Sequence, residues 1–259
     1  MTNDSAKHER DVWEKFWEQK SELAKVYSPS ARIIENLKIA GNLDKKIILE
    51  VGAGTGRTSF ELVQFGATII ILDYAESSLK IMQELFRSIN TKIYIIQADA
   101  FHLPFKEGVI DIVFHQGLIE HFKYPGPILS ENFRVLKCNG LALVDVPQKY
   151  HIYTVIKHIL MFFNRWFAGW ETEYSIAELK KMIRITGFNI IHIYGEWMHP
   201  SLFYRILREV LKKINIELPL YPHGPKFLSK IRSAIRETIK RFPFSKYTFL
   251  DIGVICRKG

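Results

Sequence analysis

The 259-residue sequence predicts an α/β domain with a mostly parallel sheet and helices on both faces. Three observations lead there. Short apolar runs, of the type buried on both faces of a sheet, recur along the chain. Helical segments separate most of them, and strands alternating with helices at this spacing require parallel crossovers. A glycine-rich turn, within "IILEVGAGTGRT" at 47–58, joins the first strand to its following helix.

The elements follow in order. Residues 5–27 read as a helix with Trp13, Phe16, Trp17, Leu23 and Tyr27 on one face. Ser28-Pro29 starts a second helix, with Ser as cap and Pro in the first turn, and Gly41 ends it. Strands are expected at 46–51, 67–73, 91–99, 108–114 and 140–146, with helices at about 56–65, 76–89 and 125–137. A helix at 175–186 and a strand at 187–195 come next. Two amphipathic helices, 201–214 and 226–241, flank the turn-rich "ELPLYPHGPK", and a strand at 246–258 closes the chain. The expected organisation is one domain over 1–259. It has N-terminal helices at 1–41, a core at 42–147, insertions at 148–174 and 196–245, and a closing strand at 246–259.

Composition narrows the class. Hydrophobic residues make up 47% and charged residues 24%, as in a globular chain. Cys138 and Cys256 offer neither zinc spacing nor a disulfide framework, so a reducing, cytoplasmic setting is expected. The opening "MTNDSAKHER" is too polar for a secretory signal. The most apolar window, 150–170, contains Lys157, His158, Asn164 and Arg165, which argues against a membrane span. Net charge is +9, and Arg205–Arg241 holds ten Lys and Arg against three Glu. That segment is either a solvated surface or a docking face for lipid headgroups or nucleic acid.

The glycine turn points to an anion- or ligand-binding corner, where backbone N–H groups face outward at a helix start. Gly52, Gly54 and Gly56 alternate, and Arg57 stands where a dinucleotide fingerprint has its third glycine. A Walker A loop is absent. Asp73 ends the second strand, 21 residues after Gly52, where a carboxylate can accept from both hydroxyls of a ribose. Asp99-Ala100 ends the third strand, where a carboxylate can accept from an exocyclic adenine amine. Each Asp alone is equally a loop or helix cap. Together with the glycines they mark the carboxyl ends of three consecutive strands, where open α/β sheets bind ligands.

"ILEVGAGTGRTS", "LDYAESSL", "IIQADAFHLPF", "GVIDIVFHQGLIEHF" and "NFRVLKCNGLALVDVP" resemble the successive motifs of class I S-adenosylmethionine-dependent methyltransferases. The match is best to the type 11 (ubiquinone/menaquinone biosynthesis-like) group. It covers about 45–147 and resumes at 174–188. The resemblance implies a Rossmann-like, seven-stranded, mostly parallel sheet, with an antiparallel last strand near 247–257 and helical lid insertions. It implies S-adenosyl-L-methionine as cofactor and S-adenosyl-L-homocysteine as product. Gly52, Ala53, Gly54 and Gly56 would cradle the methionyl part, with Glu50 beneath the loop. Asp73 would hold the ribose, with Tyr74 beside it in the cofactor site. Asp99 and the Ala100 amide would read the adenine. His115, Gln116 and Gly117 would border the sulfonium and its methyl group.

Methyl transfer from a sulfonium chiefly requires alignment and exclusion of water. A general base is needed only where the acceptor loses a proton. His121 and His115 are the candidate bases, with Glu120 next to His121 in "GLIEHF"; the plain alternative for His121 is a packing histidine at a helix start. The (D/N/S)PP(Y/F) motif of amino-methylating nucleic-acid enzymes is replaced by "HQGL", and neither cysteine is placed as a cytosine-attacking nucleophile. Segment 148–174 is expected to form an apolar lid above the active site. Helix 201–214 carries Phe203, Ile206, Leu207, Val210, Leu211 and Ile214 on one face, and helix 226–241 is amphipathic and basic. Such faces either pack on one another or lie on an anionic membrane. The expected acceptor is small and hydrophobic, quinone- or lipid-like, with peripheral membrane contact. The alternatives are an RNA or protein methyltransferase docking through 205–241, a non-catalytic cofactor-binding module, a lipid-cyclopropanating relative, and a NAD-dependent dehydrogenase, which Arg57 disfavours. The Trp13/Trp17 helix either covers the cofactor or belongs to the core. The sequence carries no sign of a metal requirement.

Overall fold

The computed structural model describes residues 12–18, 31–39, 41–87, 93–163, 171–197, 200–219, 234–236, 238–239 and 242–259. Its centre is a seven-stranded sheet in the order β3-β2-β1-β4-β5-β7-β6. The strands are β1 (Ile47–Val51), β2 (Thr68–Asp73), β3 (Ile93–Gln97), β4 (Ile110–Gln116), β5 (Leu136–Pro147), β6 (Phe188–Glu196) and β7 (Asp251–Lys258). β1 pairs in parallel with β2 and β4, β2 with β3, and β4 with β5. β7 inserts antiparallel between β5 and β6. The Rossmann-like, mostly parallel sheet with its reversed last strand is therefore present.

The alternation of side chains along these strands creates two cores. Ile48 and Phe114 face one side, with Ile33, Leu37, Leu62 and Met82. Leu49 and Val113 face the other, with Ile128, Leu129, Leu179 and Ile183. The covering helices are α1 (12–18), α2 (Ala31–Ile39), α3 (Arg57–Leu62), α4 (Glu76–Phe86), α5 (Gly126–Val135), α6 (Ile152–Phe162), α7 (Ile176–Ile185) and α8 (Leu202–Lys212). α7 starts on a capping box: the Ser175 hydroxyl accepts from the Glu178 amide, and the Glu178 carboxylate accepts from the Ser175 amide.

Two strand boundaries differ from expectation. β5 begins at Leu136, four residues before the expected start. Asn139 takes a left-handed φ of 63° and the pairing with β4 shifts register, so the strand continues through an irregularity. β7 begins at Asp251, because Pro243–Tyr247 forms a 3₁₀ turn in place of extended chain. This turn tucks Phe249 against Trp197, with ring centroids 4.9 Å apart. Gly195 leaves the room, since a methyl group there would collide with the Phe249 ring. Only 12–18 of the expected 5–27 helix lies within the described residues. Most of the expected 226–241 helix lies outside them, although 234–236 and 238–239 are helical.

The insertion at 148–174, expected as an apolar lid, begins with α6. In α6 the buried side chains are Thr154 and Lys157, while Ile152, Val155, Ile159 and Phe162 are exposed. The inward side chains are anchored by polar contacts that the apolar ones cannot make. The Thr154 hydroxyl donates to the Gln148 carbonyl at 2.7 Å. Lys157, 3% exposed, is paired with Glu171 at 2.6 Å and with Glu173, and His158 Nε2 lies 2.9 Å from Glu173. On helix 201–214, Phe203, Ile206, Leu207, Val210 and Ile214 face solvent. Among the described residues no helix is long and apolar enough to cross a membrane.

Candidate active site

The site lies at the carboxyl ends of β1 to β4, where the strand order reverses between β1 and β4. The loop between β1 and α3 sets its floor. Gly52, Gly54 and Gly56 have φ of 66°, 57° and 66°, values that disfavour side chains. Space imposes the same requirement. A Cβ at Gly52 would come within 2.6 Å of Leu118, and one at Gly54 within 2.6 Å of Trp17. The loop is fastened by hydrogen bonds from the Gly52 and Ala53 amides to the Leu72 carbonyl at 2.8 and 3.1 Å.

Two carboxylates lie under and beside this loop. Asp73, at the end of β2, accepts from the Gly54 amide at 2.8 Å and the Ala75 amide at 3.0 Å. Ser78 donates to the Gly54 carbonyl at 2.6 Å, so β2, the loop and α4 are tied together at one point. Burial pushes the Asp73 carboxyl up and the amide contacts pull it back in part. Glu50, on β1, is buried, and its Oε2 has no hydrogen-bond partner. Burial lifts its carboxyl to about 7, with Ser59 offsetting only part of that. A buried carboxylate oxygen left open beneath a glycine cradle fits a cationic group such as the ammonium of a methionyl ligand.

The other expected residues are distributed around the same edge. Tyr74 is exposed, and its carbonyl accepts from Gln97 at 3.2 Å. Asp99 caps its own turn by accepting from the Phe101 amide at 2.9 Å, and Ala100 is buried beside it. Gln116 is half-buried at the end of β4, and the Gly117 amide donates to the Asp145 carbonyl at 3.1 Å. His115 is fully buried and neither ring nitrogen has a partner. Burial pushes its imidazole down to about 3, so it stays neutral.

His121 and Glu120 lie on a 3₁₀ turn, Ile119–His121, just past Gly117. The His121 ring is half-buried and meets Trp13 edge-on at 4.7 Å. Glu120 is buried, and burial drives its carboxyl well above the usual carboxylate range. A Cβ at Gly117 would lie 3.3 Å from Glu120 Oε1, which places this carboxyl next to the expected methyl-transfer position. The end of the insertion is bonded to the same turn. The Thr172 amide donates to the Glu120 carbonyl at 2.8 Å.

Sequence reasoning missed three polar residues that hold these parts in place. Glu14 on α1 accepts from the Glu76 and Ser77 amides at 2.8 Å each, at the start of α4. With Trp17 on Gly54 and Trp13 on His121, it seats α1 across the site. Nothing in the string "VWEKFW" separates Glu14 from a solvated helix charge. Arg32 on α2 forms two bonds with Asp145, at 2.7 and 3.1 Å, and lies 3.2 Å from Asp251. Lys157 had a visible signal, since it interrupts the most apolar window of the chain. Among the described residues no group of three His, Cys, Asp or Glu is arranged to hold a metal.

A reversed-strand parallel sheet, a glycine cradle and carboxylates at successive strand ends define a class I S-adenosylmethionine-dependent methyltransferase. Residues 49–144 match the family model described as a methyltransferase domain. It is 23% identical to a ubiquinone biosynthesis O-methyltransferase of Pseudomonas fluorescens over 204 residues, covering 76% of this chain and 88% of that protein. A protein of the same description from Nitrosococcus oceani is 22% identical over 215 residues, covering 80% and 91%. In fold, the chain is similar to a S-adenosylmethionine-dependent methyltransferase of Thermotoga maritima, with a TM-score of 0.62 at 16% identity, covering 97% of this chain and all of that one. S-adenosylmethionine supplies an electrophilic methyl group on a sulfonium. This chain's residues bind and orient it and keep water from the reacting atoms.

Proposed function

We propose that the chain methylates a small hydrophobic acceptor of quinone- or lipid-like character. One observation carries this reading: the insertion after β5 is bonded through Thr172 directly to the Glu120 turn beside Gly117, so the acceptor's approach is shaped by the insertion. That insertion, with α8, is the part of the protein richest in solvent-facing apolar side chains. The ubiquinone-biosynthesis relatives support the same acceptor class.

In this reading Glu50 and the Gly52–Gly56 loop hold the methionyl end, and Asp73 keeps the loop in position. Asp99 and Ala100 border the adenine pocket. His121, the half-buried member of the two histidines, takes a proton from the acceptor hydroxyl, and α1 shields the reacting atoms. His115 contributes neutral packing beneath them.

The test is transfer of radiolabelled methyl from S-adenosylmethionine into a lysate of the source cells, separated into lipid, small polar, RNA and protein fractions. Label in the lipid fraction that disappears with Asp73→Ala is the expected result. Label in RNA or protein would overturn the acceptor class and make 205–241 the docking segment. Full turnover by His121→Ala on the identified acceptor would remove the proposed base.

A further inference from the structure

Beside its half-buried Ile156, Leu160 and Met161, α6 buries a lysine and a threonine, unlike an ordinary surface helix. Such a helix buries its apolar stripe and leaves its charges in water. In α6, Thr154 and Lys157 are buried, while Ile152, Val155, Ile159 and Phe162 are exposed, with Phe162 83% so. Positions 152, 155, 159 and 162 repeat at the helical period, so they form one continuous outward stripe. Phe163 extends it beyond the helix end. The arrangement is firmly fixed. Lys157 is held by Glu171 and Glu173, so rotating the stripe inward would pull the ammonium away from both carboxylates.

α8 carries a second exposed stripe, including Phe203, Ile206 and Val210, and the charge of its Arg205 acts on the Tyr153 phenol of α6. At the other end of α6, Tyr150 contacts Tyr247 at 5.9 Å, next to the exposed, stacked rings of Phe242 and Phe244. Three separate elements thus present apolar and aromatic side chains to water. Exposed apolar faces of this kind, with a polar rim, mark an interaction site.

Charge selects the occupant. Arg205, Arg208, Lys212 and Lys213 flank the α8 stripe against one carboxylate, Glu209, within a chain of net charge +9. A two-fold pairing of two such faces would bring the same cations together. An anionic bilayer attracts them and takes the apolar side chains into its interface. Aromatic rings between the apolar and charged zones suit that boundary. We infer that α6, α8 and the 242–247 turn form a seat on an anionic lipid bilayer, holding the active site against the phase in which a hydrophobic acceptor is dissolved.

The inference deepens the hydrophobic-acceptor reading and rests on it for its purpose, but binding is measured without any acceptor. The full chain is sedimented with vesicles of phosphatidylcholine alone and of phosphatidylcholine with phosphatidylglycerol, at low and high salt. The wild type is expected to bind the anionic vesicles and to weaken with salt. Phe162→Ser with Phe163→Ser should lower the affinity by about tenfold for each ring withdrawn from the interface. S-adenosylhomocysteine binding by that variant, followed by calorimetry, should be unchanged, which excludes a folding defect. Equal sedimentation of wild type and variant would overturn the inference. So would a wild-type dimer in sedimentation equilibrium that the same substitutions dissociate, since the surface would then belong to a second copy. Vesicle binding combined with label in the small polar fraction would retain the seat and reject the acceptor class. Loss of vesicle binding with label still in the lipid fraction would do the reverse.

Discussion

The two ends of the active site place their polar groups in opposite ways. At the cofactor end, buried carboxylates face backbone amides and a glycine loop, and the apolar side chains of the same strands point into the two cores. At the insertion proposed to shape the acceptor's approach, α6 buries a lysine and exposes isoleucine, valine and phenylalanine. The first arrangement depends on neighbours that follow a strand by one or two residues. The second depends on Glu171 and Glu173, which lie 14 and 16 positions beyond Lys157. Cofactor chemistry is therefore written in short motifs, while the acceptor surface is decided by contacts between segments.

The largest expected effects separate these ends. Asp73→Ala leaves the Gly54 and Ala75 amides without their acceptor and should weaken S-adenosylhomocysteine binding by about a hundredfold, from two hydrogen bonds to a charged group. Calorimetry checks this. Lys157→Met should act in the complementary way. It removes the ammonium that buried Glu171 and Glu173 share, at a cost of about 3–5 kcal/mol in denaturant unfolding, while cofactor affinity of the folded protein stays the same. A Lys157→Met protein of unchanged stability would break the comparison, because the orientation of α6 would then have no anchor.

Smaller effects sharpen it. Ser175→Ala removes half of the capping box of α7 and should cost about 1 kcal/mol, with no change at either end of the active site. The same box predicts a pH effect. The Lys149 ammonium and the Ser175 contacts hold the Glu178 carboxyl down at about 2. A depressed carboxyl contributes stability that is present above its unfolded value of about 4.5 and is lost as pH falls toward 2. Glu178 is largely solvent-facing, so the loss should stay below about 1 kcal/mol. A thermal unfolding series in acid, with Glu178→Gln as reference, measures it.

The sheet was legible because each strand is an apolar run bounded by turn residues, and the reversed last strand followed from the family resemblance. Its edges were less so. Pro243 converts the expected start of the closing strand into a 3₁₀ turn, and the Asn139 irregularity lengthens β5. Both are local conformations that an apolar pattern does not encode. In the site, Gly52, Gly54, Asp73 and Asp99 were read from their positions at strand ends, and Glu50 from the family resemblance. His115 carried the same chemical promise as His121, but β4 buries it completely while His121 on the following turn is half-buried, a difference of exposure that the string alone does not encode. Glu14 and Arg32 work across long sequence separations, and no local pattern marks them.

Glu50 tests the central claim most directly. Its open carboxylate oxygen lies beneath the glycine cradle, and burial holds the carboxyl at about 7. A carboxyl raised in this way is protonated in the folded protein at a pH where the unfolded chain is ionised, so stability falls as pH rises from about 4.5 through 7. A cationic ligand favours the ionised form and reverses that cost. S-adenosylhomocysteine binding, measured by calorimetry from about pH 6 to 8, should therefore strengthen as Glu50 loses its proton. Glu50→Gln should bind about tenfold more weakly, from the loss of a hydrogen bond to a charged group, and with a flat profile. A wild-type profile as flat as that of Glu50→Gln, with equal affinities, would contradict the assignment of this loop and carboxylate as the cofactor cradle.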